Sequence, residues 1–115
     1  MTTLYKNLIR AGLVAGFALT ASAASVDGYL IDKMCSASKK DNPKSHDREC
    51  ALSEACQKSG YVVITSDGKL LTLDDKGNQQ AIKALKASKK KDDLRVTVTG
   101  DVNGDSIKVA SLKLQ

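Results

Sequence analysis

The sequence predicts a small, mainly β domain of five strands and two helices, closed as a Greek-key barrel. Three observations predict it. Two turn signals, Asp67–Gly68 and Asn103–Gly104–Asp105, each stand between β-rich runs. The segment "LRVTVTGDV" alternates apolar and polar residues with the period of a half-buried strand. Only two stretches, at 47–60 and 78–91, read as helical.

The elements follow in chain order. "SVDGYLID" reads as the first strand, with Tyr29 and Ile31 on one face and Val26 and Leu30 on the other. "KMCSASKKDNPKSHD" is polar, carries the single proline and reads as a loop. "DRECALSEACQKSG" reads as one helix, capped by Ser45 or Asp47 and stopped by Gly60. "YVVITSDGKLLTL" is a hairpin. "NQQAIKALKASKKK" is a second helix with Asn78 as its cap and Ala81, Ile82 and Leu85 as its apolar stripe. In the fourth strand Leu94, Val96 and Val98 point inward, and "SIKVASLKL" returns as the fifth. The apolar phase of that last run slips between Val109 and Leu112, which predicts a β-bulge near Ala110–Ser111. Five strands with a helix between the third and fourth is the element order of the OB-fold. The cysteine-bearing helix is then an insertion between strands 1 and 2, where OB-folds carry a recognition loop. An open α+β sheet with both helices on one face is the alternative.

The N-terminus addresses location. Lys6 and Arg10 precede the short apolar run "AGLVAGFALTA", and "ASA" ends at Ala23. This is the pattern of a cleaved secretory signal peptide, and it implies a mature single domain from Ala24 to Gln115 in the periplasm or outside the cell. Removing the peptide lowers the net charge from +5 to +3, because Lys6 and Arg10 leave and no acid does. The remaining charges are mixed, and only Tyr29 and Tyr61 remain as aromatic residues. Nucleic-acid binding, which interleaves basic with stacking aromatic residues, is therefore not expected. A weak attraction to an anionic envelope surface is compatible with this charge.

All three cysteines and the single histidine lie between Cys35 and Cys56. Small secreted domains use disulfides to offset a thin core, and closing a loop of 15 to 21 residues here contributes roughly 3 kcal/mol when unstrained. In one continuous helix Cys50 and Cys56 would point about 120° apart and lie about 9 Å apart along the axis. On that geometry they cannot bridge each other, so Cys35 is one partner. Cys35–Cys56 is the expected bridge, with Cys35–Cys50 the next, and Cys50 is left as a free or reactive thiol. Arg48 and the helix start would favour its thiolate. That thiol would form a covalent dimer, take an adduct, or join His46 on a metal. The rival is a metal site of Cys35, His46, Cys50 and Cys56, which suits zinc or copper. In it His46 and Cys50, four residues apart, share a helix side. The bland alternative for His46 is a solvated loop or cap residue. A redox site lacks the usual C-x-x-C. The pairs Asp74–Asp75 and Asp92–Asp93 read as solvated turn acids, and no nucleophile elbow, zinc-protease helix or phosphate loop occurs.

"GYLIDKMC", followed by a histidine, two more cysteines and the closing "VTGDVNGDSIKVASL", resembles a group of small secreted bacterial proteins. They carry a GYxxDxxC…H…C…C head on an OB-like barrel and have no assigned activity. The resemblance covers nearly all of the mature chain and implies fold and location. In that group the last two cysteines lie about one helical turn apart, whereas "CALSEAC" separates them here by six positions. Sequence therefore points first to a non-enzymatic binding or structural module of the cell envelope, clamped by a disulfide. The alternative is a thiophilic-metal or thiol-redox protein built on the same cluster.

Overall fold

The computed structural model describes residues 24–115. The expected signal peptide, residues 1–23, lies outside the described residues. Strand β1 (Ala24–Asp32) is followed by helix α1 (Lys33–Lys39), a 3-10 turn (Pro43–Ser45), α2 (Arg48–Ala51) and α3 (Glu54–Ser59). Then come β2 (Tyr61–Thr65), β3 (Leu70–Leu73), α4 (Asp75–Ala87), β4 (Arg95–Asn103) and β5 (Ser106–Leu114). Among the described residues the architecture is mainly β with five strands, as the sequence predicts, but four helices replace the expected two.

The strands are ordered β1-β2-β3-β5-β4 and the sheet closes on itself. Strand β1 makes this closure work by pairing on both edges. Its first part, Ala24–Tyr29, runs against β4, and Gly28–Asp32 runs against β2. The two pairings overlap at Gly28 and Tyr29, where the strand must coil sharply. A Cβ at Gly28 would collide with the Ile64 carbonyl oxygen and lie 2.7 Å from a Val63 methyl. Gly28→Ala should therefore overpack this crossing and destabilise the domain by about 1–3 kcal/mol, read by chemical denaturation of the mature chain.

The predicted turns are present, with Gly68 and Gly104 at φ +84° and +65°. Thr99 pairs with Ser111 and Gly100 with Val109, so Ala110 is the extra residue of a bulge at the position the phase slip indicates. The short parallel contact of β3 with β5, Thr72↔Ser106 and Leu73↔Ile107, completes the ring. The Asp74 carboxylate reinforces it by accepting hydrogen bonds from the N–H groups of Gly77 (3.0 Å) and Val109 (3.1 Å). Asp74 is thus the cap of α4 and not a solvated turn acid. Asn78, expected to be that cap, lies inside the helix, and its side-chain oxygen accepts from the Tyr61 N–H at 2.9 Å.

Period-2 patterning sorts the β1 side chains as expected. Leu30 faces a core shared with Tyr61, Val63, Leu71, Leu94, Val96 and Val98, onto which α4 packs Ala81 and Leu85, with Val26 at its margin. Ile31 joins Val62 and Ile64 on the opposite face, with Tyr29, Cys35 and Leu70 around them. Strand β2 is buried from Tyr61 through Ile64 because both its faces are covered. Helix α1 supplies Cys35 to the second cluster, which seats the cysteine segment on the β1–β2 end.

Tyr61 links this segment to the barrel. It is fully buried, and its hydroxyl donates to the Ala51 carbonyl at 2.6 Å. Burial, with the charges of Asp32 and Cys56, pushes its ionisation from 10.0 up to about 12. The folded protein then keeps this proton after the unfolded chain has lost it. Stability is full below pH 10 and falls as pH rises towards 12, by about 2–3 kcal/mol from this group. Cys35, also pushed up to about 12, acts in the same direction. Subtracting the alkaline slope of Tyr61→Phe should isolate the tyrosine's share, and equal slopes in the two proteins would contradict it.

A candidate metal and thiol site

The three cysteines occupy equivalent places in three short helices. Asp32, Asp47 and Ser53 are N-caps, and each accepts a hydrogen bond from the N–H of the cysteine three residues on. The distances are 2.9 Å to Cys35, 2.8 Å to Cys50 and 3.4 Å to Cys56. A capping side chain needs an N–H in the first turn, so each cap fixes its cysteine at the start of a helix. These starts converge, and the sulfurs of Cys35, Cys50 and Cys56 all lie within 4.8 Å of one another.

This geometry corrects the single helix expected over 47–60. Leu52 leaves helical backbone geometry (φ −97°, ψ 1°) and Ser53 begins a new helix. The break brings Cys56 back beside Cys50, so the argument that these two cannot approach each other fails. The expected Cys35–Cys56 disulfide is not formed in this structure, where all three cysteines are free. Cys50 is exposed, Cys35 half-buried and Cys56 buried. The loop expected after β1 is also corrected, since Asp32 starts α1 there.

Beneath the thiols lies a buried pair that sequence reasoning did not identify. Asp32 is fully buried and His46 only 1% exposed. The His46 Nε2 donates to Asp32 Oδ1 at 2.6 Å, while Oδ2 accepts the Cys35 N–H. Burial alone would push the Asp32 carboxyl up. Hydrogen bonds from the Cys56 thiol, the Cys35 N–H, His46 and the Cys35 thiol outweigh burial and hold it below the usual carboxylate range. The same environment pushes the Cys35 thiol up to about 12, through burial first and then the Asp32 hydrogen bond and charge, with Cys50 and Cys56 adding to it. Cys56 is raised chiefly by burial, with its Ser53 hydrogen bond working against that. His46 Nδ1 has no hydrogen-bond partner among the described residues. His46 is therefore not solvated, although its backbone does cap the 3-10 turn, with its N–H donating to the Pro43 carbonyl at 3.3 Å.

Backbone contacts hold the histidine loop in place. The Asp93 N–H donates to the Lys44 carbonyl at 2.9 Å, and the Arg48 N–H to the Lys91 carbonyl at 2.8 Å. The Arg48 guanidinium, expected to favour a Cys50 thiolate, is engaged on the carbonyls of Lys90 (3.0 Å) and Leu85 (3.3 Å) beyond and at the end of α4. Its role is to tie the cysteine segment to that helix.

The four residues expected to form one metal set fall into two triads that share Cys35. One is Cys35, Cys50 and Cys56, and the other is Asp32, Cys35 and His46. His46 is thus grouped with Asp32 rather than with Cys50. Among the described residues no helix is long and apolar enough to cross a membrane. The chain matches no family model, and neither a characterised protein nor a solved structure is significantly similar to it.

Proposed function

We propose that this is an exported protein that binds one thiophilic metal ion through Cys35, Cys50 and Cys56, on an OB-like barrel. The observation that carries the reading is the convergence of three thiols, from three separately capped helices, within 4.8 Å. Sulfurs bound to one ion at about 2.3 Å stand roughly 4 Å apart. Separations of less than 4.8 Å accommodate that spacing. A disulfide requires about 2.05 Å between sulfurs.

The donor set favours Cu(I) over zinc. Both ions accept thiolates, but a structural zinc takes four ligands, and His46, although its Nδ1 is unpartnered, groups with Asp32 and Cys35 and not with the three thiols together. Three thiolates suffice for Cu(I). Thiols held protonated by burial and by Asp32 must lose their protons to bind, so metal uptake releases protons. The OB-like assignment rests on the strand order and on the position of the site, between strands 1 and 2, where that fold carries a recognition loop. Export rests on Lys6, Arg10, the apolar run and the small residues ending at Ala23. The resemblance of the Gly28–Cys35 head to small secreted proteins agrees with both.

The test is titration of the reduced chain from Ala24 with Cu(I) and with zinc under anaerobic conditions. One equivalent of Cu(I) should bind, shield all three thiols from alkylation and raise the unfolding free energy by about 4 kcal/mol at a thousandfold excess over Kd. Retention of neither ion, with unchanged thiol reactivity, would overturn the reading.

A further inference from the structure

We infer that the metal-free thiol cluster also accepts oxidising equivalents from a small-molecule disulfide, entering at Cys50 and stored as a Cys35–Cys50 bond. The inference uses the same three sulfurs as the metal reading but needs no metal. It rests on their mutual reach of 4.8 Å combined with their graded exposure.

Cys50 is the exposed thiol of the three, so it is the sulfur that a dissolved disulfide RSSR can approach. In the first step the Cys50 proton passes to solvent and its sulfur attacks RSSR. The R–S–S–R bond breaks, a Cys50–S–S–R bond forms, and RS⁻ leaves and takes up a proton. In the second step the sulfur of a neighbouring cysteine attacks the Cys50 sulfur and displaces the second RS⁻, and the proton that the attacking thiol gives up passes through solvent to the departing RS⁻. Two cysteine thiols have then lost two protons and two electrons, and RSSR has become two RSH.

Two sulfurs lie within reach for that second step. Cys56 is 4% exposed and packed in the interior of the segment. Cys35 is half-buried, sits at the margin of the outer apolar cluster and belongs to a different helix from Cys50. The displaced RSH has an open path from a pair made by Cys35 and Cys50. Helices α1 and α2 can also draw together as separate elements, whereas Cys50 and Cys56 are tied through the two-residue link Leu52–Ser53. Cys35 is accordingly the resolving residue, and Cys56 keeps its thiol.

The experiment incubates the reduced mature chain, with a chelator present, with glutathione disulfide. Remaining thiols are alkylated, and peptides are mapped by mass spectrometry. The expected product is an intramolecular Cys35–Cys50 disulfide with Cys56 alkylated. Cys35→Ser should halt at a glutathione adduct on Cys50, and Cys50→Ser should react at least about tenfold more slowly than the unaltered chain. A Cys50–Cys56 or Cys35–Cys56 linkage in the unaltered chain would overturn the assignment without reference to any variant. So would a covalent dimer as the main product, or an undiminished rate in folded Cys50→Ser. Because the chelated protein is used, a failure of metal binding leaves this result unchanged. Conversely, a failure here leaves the Cu(I) titration to stand or fall by itself.

Discussion

Cys50→Ser should lower Cu(I) affinity by at least about hundredfold, more than the tenfold to hundredfold that loss of an outer partner costs a metal site. The metal-free protein should stay within about 1 kcal/mol of the original, the usual result of an exposed substitution. Cys50 is exposed and its sulfur anchors no part of either apolar cluster. What it supplies is one of three donors. A hydroxyl at this position keeps the capped turn at Asp47 intact, because the bond that holds it uses the Cys50 backbone N–H. Cys56→Ser should lose affinity similarly but also weaken the metal-free fold, since it places a hydroxyl where a buried thiol packs. The pair of variants thus separates ligand loss from packing loss. Were Cys50→Ser to bind Cu(I) as tightly as the original chain, the three-thiol site would be wrong. Had the cluster been only a Cys35–Cys56 clamp, Cys50→Ser would leave metal binding untouched.

The strands were legible because their signal is periodic. Alternation in Leu94–Val98, the split of Val26 and Leu30 from Tyr29 and Ile31, and the phase slip around Ala110 each report a pleated strand with one face in the core. The cysteine segment has no such period. Helices α1, α2 and α3 are 7, 4 and 6 residues long, too short to show an apolar stripe at a spacing of 3.6. They are specified by their caps. The usable signal was the repeat of Asp32-x-x-Cys35, Asp47-x-x-Cys50 and Ser53-x-x-Cys56, in which an N-cap residue precedes a cysteine by the same interval each time. Taking "CALSEAC" as uninterrupted helix ignored Ser53 as a cap, and that one residue decides whether Cys50 and Cys56 diverge or meet. The burial of His46 left no local trace. Its partner Asp32 is fourteen residues earlier, at the end of a strand, and only the docking of the loop against Asp93 and Lys91 brings the two together. Arg48 shows the same limit, because its side chain is claimed by carbonyls near the end of a helix more than thirty residues away.

Asp32→Ala should be the most damaging single substitution in the site, costing about 2–4 kcal/mol, from a buried partner of the carboxylate left without its hydrogen bond, about 1–3 kcal/mol, and a lost helix cap, about 1 kcal/mol. Asp32 accepts at both carboxylate oxygens: from His46 Nε2 at Oδ1, and from the Cys35 N–H, which starts α1, at Oδ2. An alanine leaves His46 with neither ring nitrogen satisfied in a site 1% exposed to solvent, and it removes the cap that directs Cys35 into the cluster. For a domain of this size the loss corresponds to a fall in Tm of about 10 °C or more. Asp32→Asn keeps the shape and one acceptor oxygen, so it should lie between alanine and the original. Acidification gives a second reading of the same group. Because its folded carboxyl ionises below the usual range, its contribution is complete above the unfolded value of 3.8 and disappears as pH falls through the folded one. The original chain should therefore lose stability more steeply than Asp32→Asn as the pH drops below about 4. Equal denaturation midpoints for Asp32→Ala and the original at neutral pH would show that the pair contributes nothing to the fold. Parallel acid profiles for Asp32→Asn and the original would show that Asp32 does not enter the folded state ionised.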